Sequence, residues 1–284
     1  MKEKTFGGSQ DYVASEELLS AVNIAMTLQK PLLLKGEPGT GKTMLARSIA
    51  SSLHAPLYIW NIKSTTKAQD GLYVYDVVQR LYDSQFGGEG VDDIEKYVHL
   101  GQVGEAFESE ERAVLLIDEI DKADEEFEAF LLELLSEMQV TVPEIGTIRA
   151  KTTPFVILTS NRARPLSEAL RRRCAYLHID YPDMEKELAI LRKKLPHVDD
   201  RLAAQVALAV QKLRSTEAIL KKPSIAETLD WAAALDALGI AELTPEAIRQ
   251  TAGFVLKNNE DLLTLEEQGQ EQAHCGSCQG HSHG

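Results

Sequence analysis

One short run constrains this chain more than any other. Gly36-Glu37-Pro38-Gly39-Thr40-Gly41-Lys42-Thr43 fits the pattern G-x-x-x-x-G-K-[ST]. The apolar run PLLLK precedes it, and TMLARSIASSL follows with apolar residues at helical spacing. A buried strand, a glycine turn and a helix, in that order, are the context this pattern requires. The glycines let the backbone curl so that N–H groups converge on phosphate oxygens. The helix behind them adds the positive end of its dipole. Lys42 supplies a point charge for the outer phosphates, and Thr43 offers a hydroxyl to Mg2+. The expected ligands are the phosphates of a nucleotide and Mg2+, lined by Gly36 to Thr43 and by Met44 in the first helical turn.

The rest of the chain extends this into a sheet. LYIWNI, AVLLI (113–117), PFVILTS and AYLHID are further strand candidates, short and apolar as buried parallel strands are. Helix candidates lie between them. Ser15 is placed to cap the first, with Leu18, Val22, Ala25 and Met26 on one face, and EEFEAFLLELLSEM is the clearest. QVTVPEIGTIRA alternates like a hairpin turning at Pro143–Gly146. Residues 64–112 are less regular. There Val74, Val78, Leu81 and Tyr82 share a helical face, and VGEAFES reads as a short helix. After Tyr181–Pro182 only helical patterns remain, at 183–195, 199–215, 224–238 and 245–257. Strands alternating with helices, then helices alone, predict an α/β domain over 1–182 and a small all-helical domain over 183–262. Residues 263–284 are polar and low in complexity, and a mobile tail is expected.

Composition narrows the partners. Lys plus Arg number 30 against 44 Asp plus Glu, for a formal net charge of −14, which argues against general coating of nucleic acid. No apolar run approaches the ~20 residues of a membrane helix. MKEKTFGGSQDY lacks the apolar core of a secretory signal, and three cysteines are too few for a disulfide framework. The expected location is the cytoplasm.

Three further groups carry chemistry. AVLLIDEID delivers Asp118 and Glu119 at the end of a buried strand, where ligands of open α/β sheets bind. Asp118 is expected to hold the Mg2+ shell together with Thr43, and Glu119 to polarise the attacking water. Asp121 and Asp124 are read as solvated acids at a helix start. VILTSN ends in Asn161, an amide able to sense the γ-phosphate or the water. Among Arg171, Arg172 and Arg173, one placed beside a neighbour's nucleotide would stabilise charge on the transferring phosphoryl. Cys174, before a strand, reads as a small core residue, and Trp231 and Leu235 as core of the helical domain.

In this order these pieces resemble an AAA+ ATPase. GEPGTGKT resembles Walker A, LLIDEID Walker B, TSN sensor 1, and LRRRC the arginine-finger helix. The similarity runs from about Tyr12 to about Leu256. PLLLKGEPGTGKT, EIDKAD, EAFLLELLSEMQVTVPE and IDYPD look most like the MoxR-type branch. The resemblance implies a P-loop parallel sheet flanked by helices with a helical lid. It also implies a ring, usually a hexamer, with nucleotide at subunit boundaries. Glu119 and Asn161 would then be catalytic, with Arg173 or Arg172 acting in trans. Such proteins mature or activate clients, some of them metalloenzymes, often beside a von Willebrand factor A domain partner. The extra helix-2 insert would lie in 64–100 and the pre-sensor-1 hairpin at 139–149, both facing the pore or the substrate. A nucleic-acid motor or loader, or a nucleotide-gated scaffold with little hydrolysis, are the alternatives. Two positions depart from the family. Ala226 stands where the sensor 2 arginine is expected, with Lys221 and Lys222 just before it, and Gln102 replaces a proline.

The tail is not explained by that resemblance. His274, Cys275, Cys278, His281 and His283 crowd it. The C-x-x-C spacing with nearby histidines suits Zn2+, or a softer or nickel-like ion such as Ni2+. A polar tail without a dedicated metal is the other reading.

Overall fold

The computed structural model describes residues 5–9, 12–87, 93–142, 146–161 and 164–263. The tail residues Cys275, Cys278, His281 and His283 lie outside them, as do Pro143 and two further residues of the expected hairpin turn. In chain order the elements begin with α1 (Glu16–Thr27), β1 (Leu32–Lys35), α2 (Lys42–Leu53) and β2 (Leu57–Asn61). Next come β3 (Tyr73–Tyr75), α3 (Val77–Phe86), β4 (Val98–Leu100), α4 (Gln102–Glu108), β5 (Val114–Asp118) and α5 (Glu125–Glu137). Then follow β6 (Gln139–Val142), β7 (Gly146–Arg149), β8 (Phe155–Ser160), α6 (Glu168–Arg173) and β9 (Ala175–His178). The last four are α7 (Met184–Lys194), α8 (Asp200–Ser215), α9 (Ile225–Ala237) and α10 (Pro245–Val255).

Among the described residues, five strands form one parallel sheet in the order β2-β5-β8-β1-β9. Its strands are mostly apolar because both faces are covered, with polar residues at their C-terminal ends. Leu32 and Leu34 of β1, Val114 and Leu116 of β5, and Phe155 and Ile157 of β8 pack with Leu18 and Val22 of α1 and Leu45 and Ile49 of α2. The alternate residues Leu33, Leu115, Ile117, Val156 and Leu158 pack with Phe107 of α4 and Phe127 and Leu131 of α5. This two-sided core aligns the C-terminal ends of β1, β5 and β8. Ser15 caps α1 as expected, accepting from Leu18 N–H. Cys174 is buried, and burial pushes its thiol up to about 12, in keeping with a core residue.

Gln102, the replacement for proline, has a local role. β2 is an edge strand, and the Gln102 side-chain carbonyl accepts from Ile59 N–H at 3.2 Å. The irregular stretch holds a surprise in α3. Asp76 caps this helix, yet none of its residues is buried, and Val77, Val78, Leu81, Tyr82 and Phe86 are exposed. The apolar stripe in that sequence is a surface, not a core face. β6 and β7 form the expected antiparallel hairpin, pairing Gln139 with Arg149 and Val142 with Gly146.

The chain divides into two compact units, one ending at Ile179 and the other running from Asp180 onward, with Pro38–Thr40 grouped with the second. The second unit is helical. Trp231 and Leu235 are fully buried in its core among Leu202, Val206 and Val210, and Trp231 Nε1 donates to Thr251 Oγ1 at 2.7 Å. A buried ion pair crosses it. Arg214 Nη1 and Nη2 each donate to Glu187 at 2.8 Å, and Thr228 and Gln211 donate to the same carboxylate. The guanidinium also donates to the Pro223 carbonyl and stacks over Tyr181, 4.8 Å from the ring centroid.

Candidate active site

The site is assembled where β1, β5 and β8 end. β1 delivers the loop that begins at Gly36, whose N–H donates to Ser160 O of β8 at 3.3 Å. Gly39 and Gly41 have φ of 73° and 91°, a region that side chains rarely tolerate. Gly41 caps α2 without a side-chain hydrogen bond, so the first N–H groups of α2 are open to an anion. Lys42 and Thr43 start that helix, and Met44 is exposed in its first turn. Lys42 is buried, and its ammonium donates to the carbonyls of Gly36 at 2.9 Å and Glu37 at 2.7 Å. Burial lowers its pKa below the ordinary lysine value, partly offset by the negative charges of Asp118, Glu37, Asp121 and Glu119.

β5 brings Asp118 to Thr43. The Thr43 hydroxyl donates to Asp118 Oδ2 at 3.0 Å. Glu119 follows in a left-handed conformation, φ 61° and ψ 46°, which turns its side chain away from the strand line. Its carboxylate accepts from Asn161 Nδ2 at 2.7 Å and is ion-paired with Lys122. Four of the expected residues therefore stand in two hydrogen-bonded pairs, Thr43–Asp118 and Asn161–Glu119, where β5 and β8 end. The hydroxyl and carboxylate oxygens of Thr43 and Asp118 are hard donors, the chemistry Mg2+ prefers. Among the described residues no group of three or more His, Cys, Asp or Glu is placed to hold a metal ion.

The arginines sit elsewhere. Arg171, Arg172 and Arg173 are exposed at the end of α6. Arg172 is ion-paired with Glu168, and Arg173 Nε donates to Ser136 Oγ at 3.0 Å. Ala226 is exposed in the first turn of α9, and Lys222 donates its ammonium to the Thr216 carbonyl.

Three residues near the site were missed or misread in the sequence. Asp121 is not solvated: it is 3% exposed, and both carboxylate oxygens accept from Asn161 N–H at 3.2 Å. Nothing in the acid-rich DEIDKAD run distinguishes it from Asp124, which is exposed and caps α5 as expected. Tyr12 lies against the loop, its ring 3.4 Å from where a Cβ on Gly41 would stand, and burial raises its phenol to about 12. Thr159, fully buried in β8, bonds to Asp118. Its sequence signal is its place two residues before Asn161, at the polar end of an otherwise apolar strand.

The profile of the ATPase family associated with various cellular activities (AAA) matches residues 32–180. The chain belongs to the AAA family. Solved structures agree on the fold. A RuvB mutant of Thermotoga maritima superposes with a TM-score of 0.55 at 21% identity, covering 92% of this AAA protein and 75% of that chain. The Thermotoga maritima RuvB Holliday junction branch migration motor gives 0.50 at 21% identity, over 83% and 66%. Among curated sequences, uncharacterized protein YojN of Bacillus subtilis is 32% identical over 64% of this chain and 57% of its own length. The AAA protein thus matches little more than half of that relative. Uncharacterized protein SH1500 of Staphylococcus haemolyticus is 26% identical over 72% of this chain and 76% of its own. Among the described residues, no helix is long and apolar enough to cross a membrane.

Proposed function

We propose that this chain hydrolyses ATP and uses the cycle to remodel partner proteins, as a MoxR-type AAA+ chaperone. The observation that carries the reading is the pair of contacts Thr43–Asp118 and Asn161–Glu119 at the end of one sheet. In this reading the ammonium of Lys42 exchanges the Gly36 and Glu37 carbonyls for phosphate oxygens. The open N–H groups of α2 cradle the remaining phosphate charge. Thr43 and Asp118 would hold Mg2+, which supplies charge neutralisation at the transferring phosphoryl. Glu119 accepts a proton from the attacking water, and Asn161 holds that carboxylate in line. Positioning and electrostatics supply nearly all of the acceleration.

Arg173, with Arg172 beside it, acts on the nucleotide of a neighbouring subunit in a hexameric ring. Exposure of both residues at the end of α6 supports a role in trans. The exposed apolar face of α3, within the expected insert, supports contact with clients rather than with nucleic acid. A von Willebrand factor A domain partner would present the client, and a cytoplasmic site fits the whole assembly. The tail set Cys275, Cys278, His281 and His283 would carry Zn2+ or Ni2+ to a metalloenzyme client. Unchanged client metal after deletion of residues 273–284 contradicts that last element.

The test is complementation. Glu119→Gln and Arg173→Ala are assayed alone and mixed, across a protein concentration series. Activity that rises with concentration, is lost in each variant and partly returns on mixing is expected. No recovery at any ratio contradicts a shared site. Turnover stimulated by DNA or RNA would replace the chaperone reading with a nucleic-acid motor.

A further inference from the structure

β8 is buried along its whole length, and its penultimate residue carries a hydroxyl where the strand could hold another aliphatic group. Pairing of Ile117 with Leu158 brings the next residue, Thr159, level with the end of β5. Thr159 is 0% exposed. Its Oγ1 accepts from Glu119 N–H at 2.8 Å and donates to Asp118 Oδ1 at 2.5 Å. The direction is fixed by chemistry. An amide N–H can only donate, so the hydroxyl must accept there and give its own proton to the carboxylate. Both polar functions of the side chain are consumed by the two acids of the site.

Two consequences follow. Asp118 Oδ1 is occupied, so the carboxylate plane is set and Oδ2 is left for Thr43. Glu119 sits in the left-handed region, a strained conformation for an ordinary residue that persists only when its surroundings hold it. The bond from Glu119 N–H to Thr159 is one such restraint, and it lies at the root of the side chain that reaches Asn161.

We propose that Thr159 is a positioning residue whose single hydroxyl aims both the metal-binding oxygen of Asp118 and the carboxylate of Glu119. The proposal rests on the reading above, in which Asp118 serves Mg2+ and Glu119 the water.

The test uses the full chain. Thr159→Val keeps the shape and removes the hydroxyl, and Thr159→Ser keeps the hydroxyl. ATP affinity is measured by calorimetry in Mg2+ and in EDTA, with kcat alongside. In Thr159→Val, affinity in EDTA should hold while the gain from Mg2+ and kcat each fall roughly 10- to 100-fold, the usual effect of losing an outer partner of a metal ligand. Thr159→Ser should restore both. A residue that only supports folding would lower the melting temperature without changing the Mg2+ gain. A wild-type Mg2+ gain in Thr159→Val, or equal damage in Thr159→Ser, overturns the proposal. Thr159→Ala repeats the measurement if the valine variant does not fold, with the same expectation. The binding measurement needs no turnover, so a failure of the ATPase reading and a failure of this one are separately visible.

Discussion

Asn161 of the β8 end donates its side-chain amide to the carboxylate of Glu119 at the β5 end, across 2.7 Å. The bond joins residues 42 apart in sequence, and it exists because β5 and β8 are parallel neighbours in register. It gives the amide a defined task. In the proposed reading this carboxylate receives a proton from water, and it is held at one oxygen while the other pairs with Lys122.

Replacing that amide should separate orientation from charge. Asn161→Ala should lower kcat on the order of 10²-fold through misplacement, with ATP affinity little changed. Asn161→Asp puts a second negative charge against Glu119 and should lower kcat at least as far, by repulsion as well as misplacement. Steady-state rates and ATP affinities of the two variants check this.

Lys42 should prove costly to stability. Its folded pKa lies below that of an ordinary lysine because it is buried. Between the folded and unfolded values the folded chain binds fewer protons, so its contribution to stability rises with pH in that window. At neutral pH the buried charge is a burden. Lys42→Met should lose ATP binding yet melt at the same temperature or higher at pH 7, with the margin shrinking as pH is raised. Thermal melts from neutral to alkaline pH decide it, and a clear drop in melting temperature at pH 7 contradicts it.

The Glu187–Arg214 pair makes an opposite prediction for the helical unit. The two side chains are 1% and 7% exposed, and each is bonded on several sides. Arg214→Met leaves the Glu187 charge buried without its partner and should cost about 3–5 kcal/mol. Glu187→Met added to it should recover much of the loss, since desolvation of the pair consumes most of its attraction. Urea unfolding of the single and double variants measures both.

Much of this was readable because chemistry and pattern coincide. The loop Gly36–Thr43, the acids of β5 and the amide after β8 each follow an uninterrupted apolar run, and such runs become buried parallel strands. All five sheet strands fall where those runs lie. The helical core around Trp231 was equally visible from its spacing. What escaped depends on register and burial. Asp121 and Asp124 are both acids after Glu119, yet only Asp121 turns inward to meet Asn161. Thr159 faces Asp118 only because of strand pairing that no local pattern encodes. α3 shows the converse: amphipathic spacing identifies a helix face but not whether the chain covers it.

In the proposed reading Glu119 activates water for ATP hydrolysis at the Thr43–Asp118 site. The most direct measurement is single-turnover ATP hydrolysis by the parent chain and by Glu119→Gln, with ATP affinity measured on the same samples. The variant should bind ATP as the parent does and hydrolyse it on the order of 10²–10⁴-fold more slowly, the usual contribution of a general base. Parent-like turnover in Glu119→Gln would contradict it.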